Sequence, residues 1–135
     1  MTEDEVKQIL HAYFESLFPK VCSTCGRRFG TLLEYIQVTT SVGQPISYDA
    51  NENNWNPRYL IGSAVLANCP CGTTLALTTE AMALPMRLEL LNWVKIETQR
   101  RGIAPSDLLA YLRDKIRREA LDDANCCRPP KRSIT

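Results

Sequence analysis

The stretch Cys22-Ser23-Thr24-Cys25-Gly26 has a counterpart far along the chain in Cys69-Pro70-Cys71-Gly72. In each, two thiols sit within one tight turn and a glycine follows, supplying the positive φ that such a turn requires. A turn of this kind turns both sulfurs to one side and aims backbone N–H groups at them, which favours the thiolate form that binds metals. Proline between the second pair stiffens its loop and reduces the entropy lost on ordering. Two pairs supply four thiolates, which suit a tetrahedral structural Zn²⁺ held by Cys22, Cys25, Cys69 and Cys71. A closed shell of that kind leaves no position for substrate or water, so the metal is expected to be structural and the protein not an enzyme.

Working outward, Tyr59–Ala67 and Thr73–Thr78 are strand-like runs on either side of the second pair, and they predict a β-hairpin with cysteines at its tip. On this pattern of one Cys-x-x-Cys-Gly turn and a second cysteine pair on a hairpin, the chain resembles zinc ribbons and related zinc-knuckle modules. The resemblance covers the residues around 22–26 and 60–78. It implies a metal-binding role for the four cysteines and nothing about partners or activity.

The same cysteines admit other chemistry. An iron–sulfur cluster also takes four thiolates, and spacing alone does not separate it from zinc. A thioredoxin-like redox pair should follow a strand and open a helix, whereas Cys22 follows a predicted helix and leads into Gly26-Arg27-Arg28-Phe29-Gly30. Four unrelated core cysteines are the remaining alternative. Cys126 and Cys127 are adjacent, point apart in an extended chain, and read as thiols without an assigned partner.

The rest of the chain predicts helices. Thr2 and Glu5 have capping-box spacing, and Val6, Ile9, Leu10, Tyr13, Phe14, Leu17 and Phe18 mark one helical face up to Pro19. His11 lies at the edge of that stripe and reads as a partly exposed surface residue. Thr31 and Glu34 open a short helix over 31–38. Residues 41–59 are rich in turn formers and read as the longest loop, with a brief strand at 46–48; within it Tyr48, Asp49 and Trp55 are candidate partner contacts. A helix over 85–101, with Leu88, Leu91, Val94 and Thr98 along one face, stops at Gly102. Ser106 is expected to cap a last helix reaching Leu121.

The expected fold is therefore α+β: an N-terminal helix, a zinc-clamped turn and hairpin, and a C-terminal helical hairpin. One zinc-binding domain is expected over 1–122, followed by a flexible basic tail over 123–135. The 135 residues are 44% hydrophobic and 23% charged, which fits one domain with a real core. The formal net charge of +1 excludes a whole-chain electrostatic argument for a polyanionic partner. Positive charge nevertheless gathers beyond residue 94, and Arg100, Arg101, Arg113, Lys115, Arg117 and Arg118 are candidate nucleic-acid contacts on the helical pair. The acids among them, Asp107, Asp114, Glu119, Asp122 and Asp123, suit ion pairing along a solvated face.

An acidic, polar N-terminus lacks the pattern of a secretory signal, and no apolar run reaches the about 18 residues of a membrane span. A cytoplasmic setting is expected. There is one histidine and no phosphate-binding loop, so hydrolytic or nucleotide chemistry lacks apparatus. The functional expectation is a regulatory or adaptor module that contacts another protein. The alternatives are a DNA- or RNA-binding regulator and a thiol-based redox or iron–sulfur sensor.

Overall fold

A computed structural model describes residues 1–126, with side chains through residue 123. The N-terminal helix α1 spans Glu3–Glu15, and its capping box is complete: the Thr2 hydroxyl accepts from the Glu5 N–H at 3.1 Å and the Glu5 carboxylate accepts from the Thr2 N–H at 3.0 Å. Two orphan donors are thereby satisfied at once. The short strands β1 (Lys20–Val21) and β2 (Arg28–Phe29) pair antiparallel around the first cysteine turn. Helix α2 (Leu32–Val38) follows. Thr31 caps it through the Glu34 N–H, while the Leu32 N–H donates to Glu15 of α1 at 2.9 Å, so the second cap is shared between two elements.

Strand β3 (Thr40–Ser47), the one-turn helix α3 (Tyr48–Asn51), and strands β4 (Ser63–Asn68) and β5 (Thr74–Thr78) come next. The three strands form an antiparallel meander in the order β3-β4-β5. The expected loop over 41–59 is thus corrected, because most of its first half is an eight-residue strand. Gly43 and Pro45 obscured that strand in the sequence, and the structure accommodates them in a bulge. Val42 faces Leu66 and Ile46 faces Ala64, so β3 advances twice as far as β4 across the interval. A bulge is where a strand tolerates proline and a positive φ, here +61° at Gly43.

Helices α4 (Leu84–Arg101) and α5 (Pro105–Cys126) form the helical hairpin. Gly102 closes α4 in the left-handed conformation, its N–H donating to the Thr98 carbonyl at 2.9 Å. Proline, not Ser106, opens α5; Pro105 needs no N–H at the first helical position. The helix also continues past Leu121 to Cys126. The remainder of the expected tail, with Cys127, lies outside the described residues. Of the residues expected along one face of α4, Leu91, Val94 and Thr98 are buried and Leu88 is exposed. Trp93 of α4 and Leu108 of α5 are buried as well.

Helix α5 lies across β3 and touches α1, α2 and α4. It contributes to two apolar clusters. One gathers Phe29, Leu32, Tyr35, Ile36, Leu75 and Leu77 beneath the cysteines and includes Cys22 and Cys69 themselves. The other joins Val6 of α1 to Leu91, Trp93, Val94, Leu108 and Leu112 of the helical hairpin. Among the described residues no helix is long and apolar enough to cross a membrane.

Candidate metal centre

Both cysteine turns are built by backbone hydrogen bonding. In the first, the Cys22 N–H donates to the Arg27 carbonyl at 2.9 Å and the Gly26 N–H donates to the Cys22 carbonyl at 2.8 Å, with Gly26 at φ +77°. In the second, the Cys69 N–H donates to the Thr73 carbonyl at 2.8 Å and the Gly72 N–H donates to the Cys69 carbonyl at 2.8 Å, with Gly72 at φ +96°. The two turns are therefore near copies of one another, although one spaces its cysteines by two residues and the other by one. The paired strands β1–β2 and β4–β5 hold them face to face.

The four sulfurs converge. Cys22 Sγ lies 3.8 Å from Cys71 Sγ, Cys25 Sγ lies 3.7 Å from Cys69 Sγ, and all four fall within 4.8 Å of one another. A tetrahedral ion bonded to sulfur at about 2.3 Å requires sulfurs about 3.8 Å apart, which is the edge of that tetrahedron. The donor set and its spacing fit a single metal ion. No disulfide is present among the four.

Burial divides the set. Cys22 and Cys69 are covered by the first apolar cluster, whereas Cys25 and Cys71 face solvent. The edge-on rings of Phe18 and Phe29, with centroids 5.4 and 5.3 Å from that of Tyr35, form the floor below.

Electrostatics without a metal are uneven. N–H groups of Cys25 and Thr24 lower the Cys22 thiol from its ordinary value. At Cys71 the Thr73 hydroxyl, 3.2 Å away, and the Thr73 N–H stabilise the thiolate and bring it down to about 6. Cys69 also receives the Cys71 N–H, but burial and the sulfurs of Cys25, Cys71 and Cys22 outweigh it and push the thiol up to about 11. Four thiols this close cannot all ionise unaided; a cation removes that repulsion. Thr73 is a contributor that sequence reasoning missed, since a threonine two residues past a cysteine carries no spacing signal.

The other expected site residues lie apart from the cysteine group, and several are engaged by carboxylates. Arg100 and Arg101 both pair with Glu97, and Arg101 also reaches Glu3 at 2.7 Å. Lys115 donates to the other Glu3 oxygen at 2.8 Å. Arg113 is engaged by Asp114 and the Gly43 carbonyl. Arg118 is exposed and Arg117 is half-buried. Of the three loop residues only Tyr48 is open to solvent. Asp49 is buried, its carboxylate accepting the N–H groups of Ile61 (3.0 and 3.1 Å) and Gly62 (2.8 Å). Trp55 packs against the second apolar cluster and donates to Asn53 at 2.7 Å. Asp49 is therefore structural and not an exposed contact, while Trp55 is half-buried. His11 is half-buried on α1 and is not part of the cysteine group.

No protein-family model, no curated protein and no solved structure matches the chain.

Proposed function

We propose that this chain is a small structural-zinc protein that acts as a regulatory or adaptor module through contacts with another protein, without catalysing a reaction. The observation that carries the metal half is the sulfur spacing: two pairs stand at the edge length of a thiolate tetrahedron around one ion, and all four sulfurs lie within 4.8 Å of one another. Zinc is favoured over an iron–sulfur cluster because a cluster assigns each thiolate to one of several irons and spreads the sulfurs more widely than a single centre does. With four protein ligands no coordination position is left for substrate.

The adaptor half is supported by where apolar side chains meet solvent. Tyr48 and Ile61 border a shallow cleft with Ala64, Leu66 and Ala76 on the outer face of the meander, and Tyr59 and Ile61 are 79% and 56% exposed. Aromatic and aliphatic residues grouped in this way suit a protein contact. The nucleic-acid alternative is weakened by Glu97 and Glu3, which occupy Arg100, Arg101 and Lys115.

Purified protein is expected to carry about one zinc per chain and to lose it in a Cys22→Ser/Cys25→Ser double variant. Iron with absorbance in the visible range would replace the zinc assignment. For the partner, Ile61→Asp is expected to leave melting unchanged and to abolish specific capture by the tagged protein. A salt-sensitive DNA shift abolished by reversing Arg117 and Arg118 would instead favour the nucleic-acid alternative.

A further inference from the structure

The helices and the inner face of the meander enclose a cavity of about 150 Å³, separate in its chemistry from the cysteines. Its walls are mainly aliphatic, with Leu10, Val65, Leu77, Leu91, Val94 and Leu112 contributed by five different elements. A dry apolar cavity of about this size holds one benzene-sized molecule. This one is not purely apolar. Arg87, in the first turn of α4, lines it, and the Arg87 Nε is buried without a hydrogen-bond partner. One terminal nitrogen of the same guanidinium donates to the Ile61 carbonyl at 3.3 Å, which fixes the group at the cavity wall and leaves Nε unsatisfied.

A buried unpaired donor on a charged group is costly, and a ligand acceptor relieves that cost. Three of the four charged lining residues are cations. Arg87, Arg113 and Arg117 face Asp49 alone, and the Asp49 carboxylate is already accepting the N–H groups of Ile61 and Gly62. Thr79 and Ser63 add small polar groups beside Gly62. We propose that this cavity binds a small monocarboxylate with an apolar body, its carboxylate on Arg87 and its body among the aliphatic side chains. The chemical class is that of benzoate or hexanoate. The proposal is independent of what the cysteines bind.

Hexanoate, hexanamide and hexanol titrated into the full, metal-loaded chain by calorimetry, with chemical-shift mapping, test it. Hexanoate is expected to bind at least about tenfold more tightly than hexanol, as follows when one ligand satisfies a buried charged donor and the other does not. Shifts are expected at Val65, Leu91 and Leu112. Arg87→Met, which removes the unpaired donor, is expected to weaken hexanoate about tenfold while leaving hexanol binding unchanged and the chain folded. Arg87→Lys, which keeps the charge, guards against a folding defect and is expected to retain part of the selectivity. Equal affinity for hexanoate and hexanol, unaltered hexanoate binding by folded Arg87→Met, or shifts confined to the surface would each overturn the proposal. Tight binding of hexanamide with weak binding of hexanoate would overturn the carboxylate assignment.

Discussion

Cys22 and Cys69 lie under their turns while Cys25 and Cys71 look outward, so the same substitution has different consequences at the two kinds of position. Serine at any of the four removes a soft ligand and is expected to lower metal affinity. At Cys22 or Cys69 it also places a hydroxyl in an apolar cluster, adding about 1–3 kcal/mol of destabilisation that persists after chelation. Urea unfolding of Cys22→Ser and Cys25→Ser, each with and without chelator, separates the two effects. Asp49 is a second position where one side chain holds much. Asp49→Ala leaves the Ile61 and Gly62 N–H groups without their acceptor at the joint between α3 and β4, and a loss of about 2–4 kcal/mol is expected in the same assay. The sequence singled out the four clustered cysteines plainly, since paired thiols with trailing glycines are a local signal. It did not show the role of Asp49, because burial and a partner twelve residues away are not local properties. Arg87 and its empty hydrogen-bonding site are hidden for the same reason.

Among the elements, those with a regular hydrophobic period were legible: α1, α2, α4, α5 and the β4–β5 hairpin stand close to where periodicity put them. The strand β3 was not, because its bulge breaks the alternation and its glycine and proline read as a turn. Helix α1 is tied to the helical hairpin by a Lys7–Glu119 ion pair and by the Glu3 carboxylate. Glu3 accepts from Lys115, Arg101 and Tyr111, and these partners, Lys115 foremost, lower its carboxyl from 4.5 to about 2. A carboxylate depressed in the folded state contributes stability that is complete above its unfolded value near 4.5 and is lost as pH falls toward 2. Because the group is partly exposed, solvent screening holds the contribution to about 1 kcal/mol or less. Glu3→Gln is expected to reduce stability by that amount at pH 7 and to flatten the acid limb of the stability curve, measured by urea unfolding across that range. Gly102→Ala tests the α4 stop: with φ at +67°, a loss of about 1 kcal/mol is expected, read as a lower melting temperature.

Across the whole molecule, the four-cysteine cluster joins two segments that are distant in sequence and sits on the first of two apolar clusters. Helix α5 connects that cluster to the second through Ala120 at one end and Leu108 and Leu112 at the other. Loss of the metal is therefore expected to reach beyond the two turns and to lower the cooperativity of the whole unfolding transition. Structural zinc in small domains contributes about 10–16 kcal/mol of apparent binding free energy, comparable to the roughly 5–15 kcal/mol stability of an entire fold. The most direct measurement is metal content by mass spectrometry on the purified chain, paired with thermal unfolding of the native protein and the Cys22→Ser/Cys25→Ser variant. About one zinc per chain in the native protein, none in the variant, and a large fall in the variant's melting temperature are the results expected. A metal-free native protein, or a variant that melts at the native temperature, would contradict a structural metal centre.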